Sequence, residues 1–454
     1  MAPNGTLHDF THLQDVMGNL PMLKRYIVLC LCFRLPETYS SNEIESTLAV
    51  GLLRLAKAFP FLAGQVIMEG RRQGCSGRPK IIPLDERISL NVNDIRESHP
   101  AFPSLSELST TKYPFTSLDP AIILPPIASS WPEDPNDFSQ IAPVLILQAN
   151  LVHGGLLLTF SCNHMTADMT GMGMIISLFA KACRLECFTD EEIEQGNQPR
   201  GNIVPLLGDE YEPSNELEDV MVSPLRMEEK NNPANCSEAA TKPKPASTAV
   251  WAYFTITSSN LARLKTAASH QTLVPYITTD DAVGALCWQA ILRARANRLG
   301  SHATSTFARP ISARRYLGLS SLYLGHMVDV VYGSNVDVYE LPLGDVAARL
   351  RMLLQSDEKI TRHVRAFATM LDRVDDKNQL VNVTQTSGAV RSRSGRCLEC
   401  HVARRPRMGA APSLLYLMPK DKDGGMAVAM CLNDDDLMAL RKDEDFIKFA
   451  DYVG

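Results

Sequence analysis

The apolar run YIVLCLCF (Tyr26–Phe33) shows no alternation, which predicts a strand buried on both faces. The period then changes. Ser41–Phe59 places apolar residues at Ile44, Leu48, Leu52 and Leu55 behind a Ser/Asn start and an early Glu, which predicts an amphipathic helix. FLAGQVIM and KIIPL read as short strands. Pro114, Pro120, Pro125, Pro126, Pro132 and Pro135 predict a loop over 114–140. APVLILQANLVHGGLLLTFSCNH reads as two strands turning at His153-Gly154-Gly155, followed by a helix from Met169 to Arg184.

From about 190 to 247 the chain turns polar, charged and proline-bearing, the pattern of a linker. Order resumes with the strand STAVWAYFTITSS and the helix NLARLKTAASH. TTDDAVGALCWQAILRARANRL predicts a second helix, capped by Thr279 or Asp280. LPLGDVAARLRMLLQSDEKITRHVRAF predicts one long helix. SLLYLMP and GGMAVAMCL predict a hairpin, and one or two short helices follow it. Strands mixed with helices on both sides of a polar stretch predict an α/β (α+β) protein of two domains. The expected division is 1–190, a linker over 191–247, and 248–454.

Composition narrows the function. The 454 residues are 45% hydrophobic and 21% charged, values of an ordinary globular chain, and too many for one core. A net charge of −6 argues against a nucleic-acid partner. The apolar run at 26–33 is too short to span a bilayer, and the polar opening MAPNGTLHDFTHLQD is unlike a secretory signal. The eleven cysteines are scattered, several of them in apolar runs, as in a reducing cytoplasm. The sequons at Asn4, Asn235 and Asn382 then carry little meaning.

The chemistry gathers in SCNHMTADMTG (161–171). His164 falls where a strand ends, and Asp168 where a helix begins. An imidazole presented from such a turn can take the proton of an attacking alcohol or amine, which is worth roughly 10²–10⁴ in rate. Asp168 can cap the helix through the N–H of Thr170 or Gly171, or pair with an arginine. Gly171 and Gly173 leave room for another segment to approach. A lone H-x-x-x-D also arises by chance. As a metal pair it lacks a neighbouring ligand cluster, so no metal is expected. No G-x-S-x-G elbow and no phosphate-binding glycine loop occurs.

Five stretches, in order, extend this motif along nearly the whole chain: HDFTHLQDVMGNLPMLKRYIVLCLCFRLPE, SCNHMTADMTGMG, YITTDDAVGALCWQAILRAR, ARPISARRYLGLSSLYLGHMV, and the C-terminal SLLYLMPKDKDGGMAVAMCLNDDDLMALRKDEDFIKFADYVG. Together they resemble the BAHD-type acyl-CoA-dependent acyltransferases, in the fungal branch of the trichothecene 3-O-acetyltransferase-like enzymes. The resemblance implies two domains like chloramphenicol acetyltransferase, with mixed sheets flanked by helices and a channel at their interface. It implies His164 as general base, with Asp168 and Arg314 as structural support. Tyr323-Leu324-Gly325-His326 stands where the family has Y-x-G-N. Thr384 or Ser387 falls where a hydroxyl meets the coenzyme. It further implies acyl-CoA, by default acetyl-CoA, as co-substrate and no permanently bound cofactor. The expected acceptor is a small-molecule alcohol, a fungal secondary metabolite, and the expected state a monomer. Enzymes of this fold that condense thioester-bound substrates usually carry a second histidine at the position of Asn163.

One departure bears on activity. The family's Asp-Phe-Gly-x-Gly is absent, and GAVRSRSGRCLECHVARRPRMG stands in its place. Residues 391–407 carry six arginines and a single acid, Glu399. The pattern fits a local reading-frame or splice error, or a true divergence. It motivates an alternative, a degenerate homologue that binds acyl-CoA or metabolite with little catalysis. Cys397, Cys400 and His401 have the C-x-x-C-H spacing of haem attachment, which needs an oxidising compartment, and a zinc site would lack a fourth ligand. The arginines suit a solvated loop or a hold on the coenzyme's phosphates.

Overall fold

The computed structural model describes residues 9–36, 39–85, 87–126, 141–217, 249–270, 274–299, 305–335, 338–379, 388–391, 402–406 and 409–454. The run that lacks alternation forms β1 (Tyr26–Arg34). Its two faces enter two different apolar clusters. Ile27, Leu29 and Leu31 pack with Leu52, Leu55 and Phe179. Tyr26, Val28, Cys30 and Cys32 pack with Leu105, Leu108 and Tyr113. A strand covered on both sides has no use for polar positions.

Beside β1 lies a hairpin of β5 (Leu145–Val152) and β6 (Gly155–Asn163), whose strand residues are all buried. Gly154 turns it with φ +75°, a conformation that glycine adopts without strain. Ahead of it in the chain come the two-stranded ribbon β2 (Gln65–Glu69) and β3 (Arg78–Ile82), and β4 (Ser89–Asp94). The first large sheet has the order β11-β1-β6-β5-β4, with β4 parallel to β5 and the other pairs antiparallel. Its edge strand β11 (Val402–Arg404) comes from far along the chain and pairs Cys30 with Arg404. The helices Ser41–Ala58 and Met169–Cys183 lie against the β1 face that carries Leu29 and Leu31.

The second sheet joins β7 (Ala249–Ile256), β8 (Ser305–Ser312), β9 (Val328–Asn335), β10 (Gly388–Arg391), β12 (Leu414–Lys420), β13 (Met426–Asn433) and β14 (Asp451–Tyr452). Their order is β14-β7-β13-β12-β10-β8-β9, with β10 parallel to both its neighbours. The helices Ser258–Ala268, Thr279–Leu299 and Leu343–Met352 share a core with it. A further cluster forms the seam between the halves. It gathers Met17, Leu20 and Leu23 near the start, Met165, Val204 and Leu217, and then Ile311, Met327 and Phe367.

Several expectations shift. The expected long helix is two, Leu343–Met352 and Asp357–Arg373, because Ser356 caps the second through the N–H of Lys359. The cap of the helix at 279 is Thr278, whose N–H and hydroxyl donate to the N3 carboxylate of Asp281. The loop expected over 114–140 holds short helical turns at Phe115–Ser117 and Pro120–Ile123, the latter capped by Asp119. The polar stretch after 190 begins as packed structure. Asp190–Gly196 is a helix with a Thr189/Glu192 capping box, and Arg365 and Arg373 donate to the carbonyls of Pro205, Gly208 and Tyr211.

Asp281 is fully buried and is shared by Arg309, at 2.7 Å, and Arg351. Asp281→Ala would leave two arginines facing each other without their anion. Removing one partner of a buried pair costs about 3–5 kcal/mol. The urea midpoint of the variant is therefore expected well below that of the wild type. An unchanged midpoint would mean that both guanidiniums reach water instead.

Candidate active site

The site turn continues the β1–β6 ladder by one residue. Tyr26 pairs with Asn163, and the N–H of His164 then donates to the Arg25 carbonyl at 2.9 Å. Asn163 holds the turn itself. Its fully buried side chain accepts from the Met165 N–H, and its carbonyl accepts from the Thr166 N–H and hydroxyl. The turn ends at Asp168, which caps the helix Met169–Cys183 by accepting from the Gly171 N–H at 2.7 Å.

Asp168 is also where the two halves meet. Arg314 donates to both its oxygens, at 2.7 and 3.1 Å, and the Met327 N–H adds a third donor from the same half at 2.8 Å. Arg314 spends its remaining N–H groups on the carbonyls of Tyr323 and Gly325 and the hydroxyl of Ser312. Burial would raise the Asp168 pKa, but Arg314 outweighs it and holds the carboxyl down at about 2. The approach is close enough to need glycine. A Cβ on Gly171 would sit 2.3 Å from the Leu324 carbonyl oxygen.

The His164 ring is half-buried, and its Nδ1 lies 3.1 Å from the Ala167 carbonyl oxygen. A carbonyl only accepts, so Nδ1 carries the hydrogen and Nε2 keeps a lone pair. Burial, with His326 beside it, lowers the His164 pKa to about 3. The imidazole is therefore neutral over the whole range near neutrality.

His164 lines a cavity of about 170 Å³ with Leu20, Leu23, Tyr26, His326, Tyr332, Phe367 and Tyr416. A second cavity of about 170 Å³ adjoins it, with Met169, Pro310 and Val328 on the walls of both. Its other walls are more polar: Thr278, Ser312, Arg315, Tyr316 and Arg351. Two residues behind the turn, Asp15 and Arg200, escaped the sequence reading. The Tyr323 hydroxyl donates to buried Asp15 at 2.7 Å, and burial raises the Asp15 pKa. Arg200 is 1% exposed, donates to the Thr166 carbonyl and stacks over Phe61. Nothing local marks Asp15 or Arg200, since their partners lie far off in the chain.

Thr384, Ser387, Cys397, Cys400 and His401 lie outside the described residues. Among the described residues, no three His, Cys, Asp or Glu side chains gather as a metal site would require. No described helix is long and apolar enough to cross a membrane.

The depressed acidity of Asp168 makes the pair pH-dependent. A carboxylate with a lowered folded pKa adds stability that is full above about pH 4, the unfolded value, and that fades as pH falls toward 2. The stability gap between wild type and Asp168→Asn is expected to be flat from pH 5 to 8, at about 3–5 kcal/mol, and to narrow below pH 4. A gap that widened on acidification would refute this account of the pair.

Comparison with known proteins gives the family. Residues 25–183 match the trichothecene 3-O-acetyltransferase-like N-terminal domain, and residues 122–370 match the transferase family. An O-acetyltransferase of Cryptosporiopsis sp. (strain 8999) is 36% identical over 468 residues, 97% of each chain. The trichothecene 3-O-acetyltransferase of Fusarium sporotrichioides is 35% identical over 462 residues, 97% of this chain and 96% of that one. A crystal structure of the Fusarium sporotrichioides enzyme with coenzyme A and T-2 superposes with a TM-score of 0.86 at 33% identity, covering 97% of this chain and 99% of that one. The chain belongs to the transferase family and is an acyltransferase of the branch that holds the trichothecene 3-O-acetyltransferase-like fungal enzymes.

Proposed function

We propose that this acyltransferase moves an acetyl group from acetyl-CoA to a hydroxyl of a small secondary metabolite, with His164 as general base and no covalent acyl-enzyme. The observation that carries the reading is the unprotonated Nε2 of a neutral imidazole on a cavity wall, with Nδ1 held by the Ala167 carbonyl. Nε2 takes the acceptor's hydroxyl proton as the oxygen attacks the thioester carbonyl carbon. The C–S bond then breaks, and the imidazolium returns the proton to the departing sulfur. The burial that keeps His164 neutral also makes its imidazolium a strong acid toward that thiolate. Asp168 and Arg314 aim the turn and do not touch substrate.

The two cavities differ in chemistry. The first is largely apolar and suits the body of a ring-bearing alcohol. The second holds Arg315 and Arg351, and Thr278 starts a helix that runs to Leu299. Arginines suit the phosphates of coenzyme A, with Arg315 placed for them and Arg351 shared with Asp281. Contact of Thr384 or Ser387 with the coenzyme belongs to the same proposal, as do action as a monomer and a place in the cytoplasm. The eight cysteines among the described residues form no disulfide, as a reducing compartment would have it.

His164→Ala is expected to lower kcat with acetyl-CoA by a factor of roughly 10²–10⁴. With a pKa lowered to about 3, wild-type kcat/KM should hold from pH 8 down to 5. Full activity in the variant would discard His164 as the base, whereas an acid limb at pH 6.5 would discard only the lowered pKa.

The missing Asp-Phe-Gly-x-Gly motif favours one other reading, a degenerate homologue. A thermal shift separates the two at the level of coenzyme. Acetyl-CoA at a hundred times its Kd should stabilise by about 2.7 kcal/mol. Stabilisation together with CoA release in an alcohol panel supports the enzyme. Stabilisation without turnover supports the degenerate reading.

A further inference from the structure

The reaction above leaves the imidazole of His326 unused. It stands just before β9 and is 2% exposed. Its ring centroid is 5.1 Å from that of His164, with the planes at 55°, and it lines the same cavity. Its Nδ1 lies 3.1 Å from the His164 carbonyl oxygen. That oxygen only accepts, so Nδ1 of His326 carries the hydrogen as well. Its Nε2 has no protein partner among the described residues, and it is not a sealed, unsatisfied atom.

Two neighbouring rings are thus locked in the same tautomer by two backbone carbonyls, Ala167 for one and His164 for the other. Each is left with one nitrogen that can only accept. Burial lowers the His326 pKa against the pull of Asp168 and Asp15, and Arg25 and Arg405 line the same cavity, so a second proton is disfavoured. One acceptor nitrogen is enough to deprotonate one hydroxyl. A second beside it has a use when the ligand brings a second donor.

We infer that His326 is a specificity residue whose Nε2 accepts a hydrogen bond from a second hydroxyl of the acyl acceptor, so that the preferred acceptor is a diol or polyol. Hydroxyls on adjacent or alternate ring carbons suit two rings whose centroids are 5.1 Å apart. An ether or ketone in place of the second hydroxyl would set lone pair against lone pair. An amide side chain could turn to meet either, but a neutral imidazole with Nδ1 committed cannot. The inference rests on the reading of this cavity as the acceptor's.

The test uses the full-length protein labelled with ¹⁵N-histidine, with coenzyme A bound for the resonances and acetyl-CoA for turnover, and three probes: 1-indanol, cis-1,2-indanediol and cis-2-methoxy-1-indanol. The resonances are assigned with His164→Ala and His326→Phe. Both rings are expected to carry hydrogen on Nδ1 alone. The diol should move the Nε2 resonances of both, and 1-indanol only that of His164. In turnover the diol should exceed the methoxy ether by about 10–100-fold in kcat/KM, the effect of leaving a buried acceptor unpaired. His326→Phe should lose that preference, so that the diol and the methoxy ether react alike. A hydrogen on Nε2 of His326, or a diol that moves only His164, overturns the inference and leaves the general base in place. Probes that move neither ring overturn the cavity assignment itself.

Discussion

The pair between Asp168 and Arg314 is the constraint around which the site is arranged. A carboxylate with no exposure to water must find all its partners within the protein. Asp168 finds them on two sides: a helix N–H from its own half, and a backbone N–H and a two-pronged guanidinium from the other. The charge is fully compensated only when the halves sit in one relative position. Arginine suits this because its planar fork meets both carboxylate oxygens and still reaches the carbonyls of Tyr323 and Gly325. A lysine, with a single nitrogen, could not span the same set.

What depends on that pair is the placement of two imidazoles. His164 comes from the end of β6 and His326 from the approach to β9, so the rings meet only because the seam is closed. Each ring is oriented through a backbone carbonyl and not through an acidic side chain. The result is a pair of neutral imidazoles in a largely apolar wall. A carboxylate partner would have raised the pKa of the ring and favoured the imidazolium.

The parts of this arrangement that are local could be read from residue order. β1, the β5–β6 hairpin and the helix after Asp168 each announce themselves by an apolar run, a His-Gly-Gly turn or an N-cap. Arg314 is different: it lies 146 residues from Asp168, and only a likeness to a family pointed to it. Asp15 and Arg200 sit in polar surroundings in the chain and are buried only by partners brought in from afar. The break before Ser356 was hidden because the apolar period continues on both sides of it, while the first helix ends at Met352 and a serine cap starts the second. Where a polar residue finds a distant partner, composition labels it as surface, and tertiary structure decides otherwise.

Strand β11 carries a consequence for how the chain reaches this state. It covers one edge of β1, yet it is made of residues 402–404. On a ribosome, β1, β5 and β6 can pair long before that strand emerges. At a synthesis rate of ~5–20 residues per second, the edge of β1 waits for on the order of 10–50 s. That edge is YIVLCLCF, an apolar strand with open hydrogen-bonding groups, the kind of surface that captures a neighbouring nascent chain. The first half of this protein is therefore incomplete until its last eighth is being made, and its need for chaperones should be greatest while the middle of the chain is being translated.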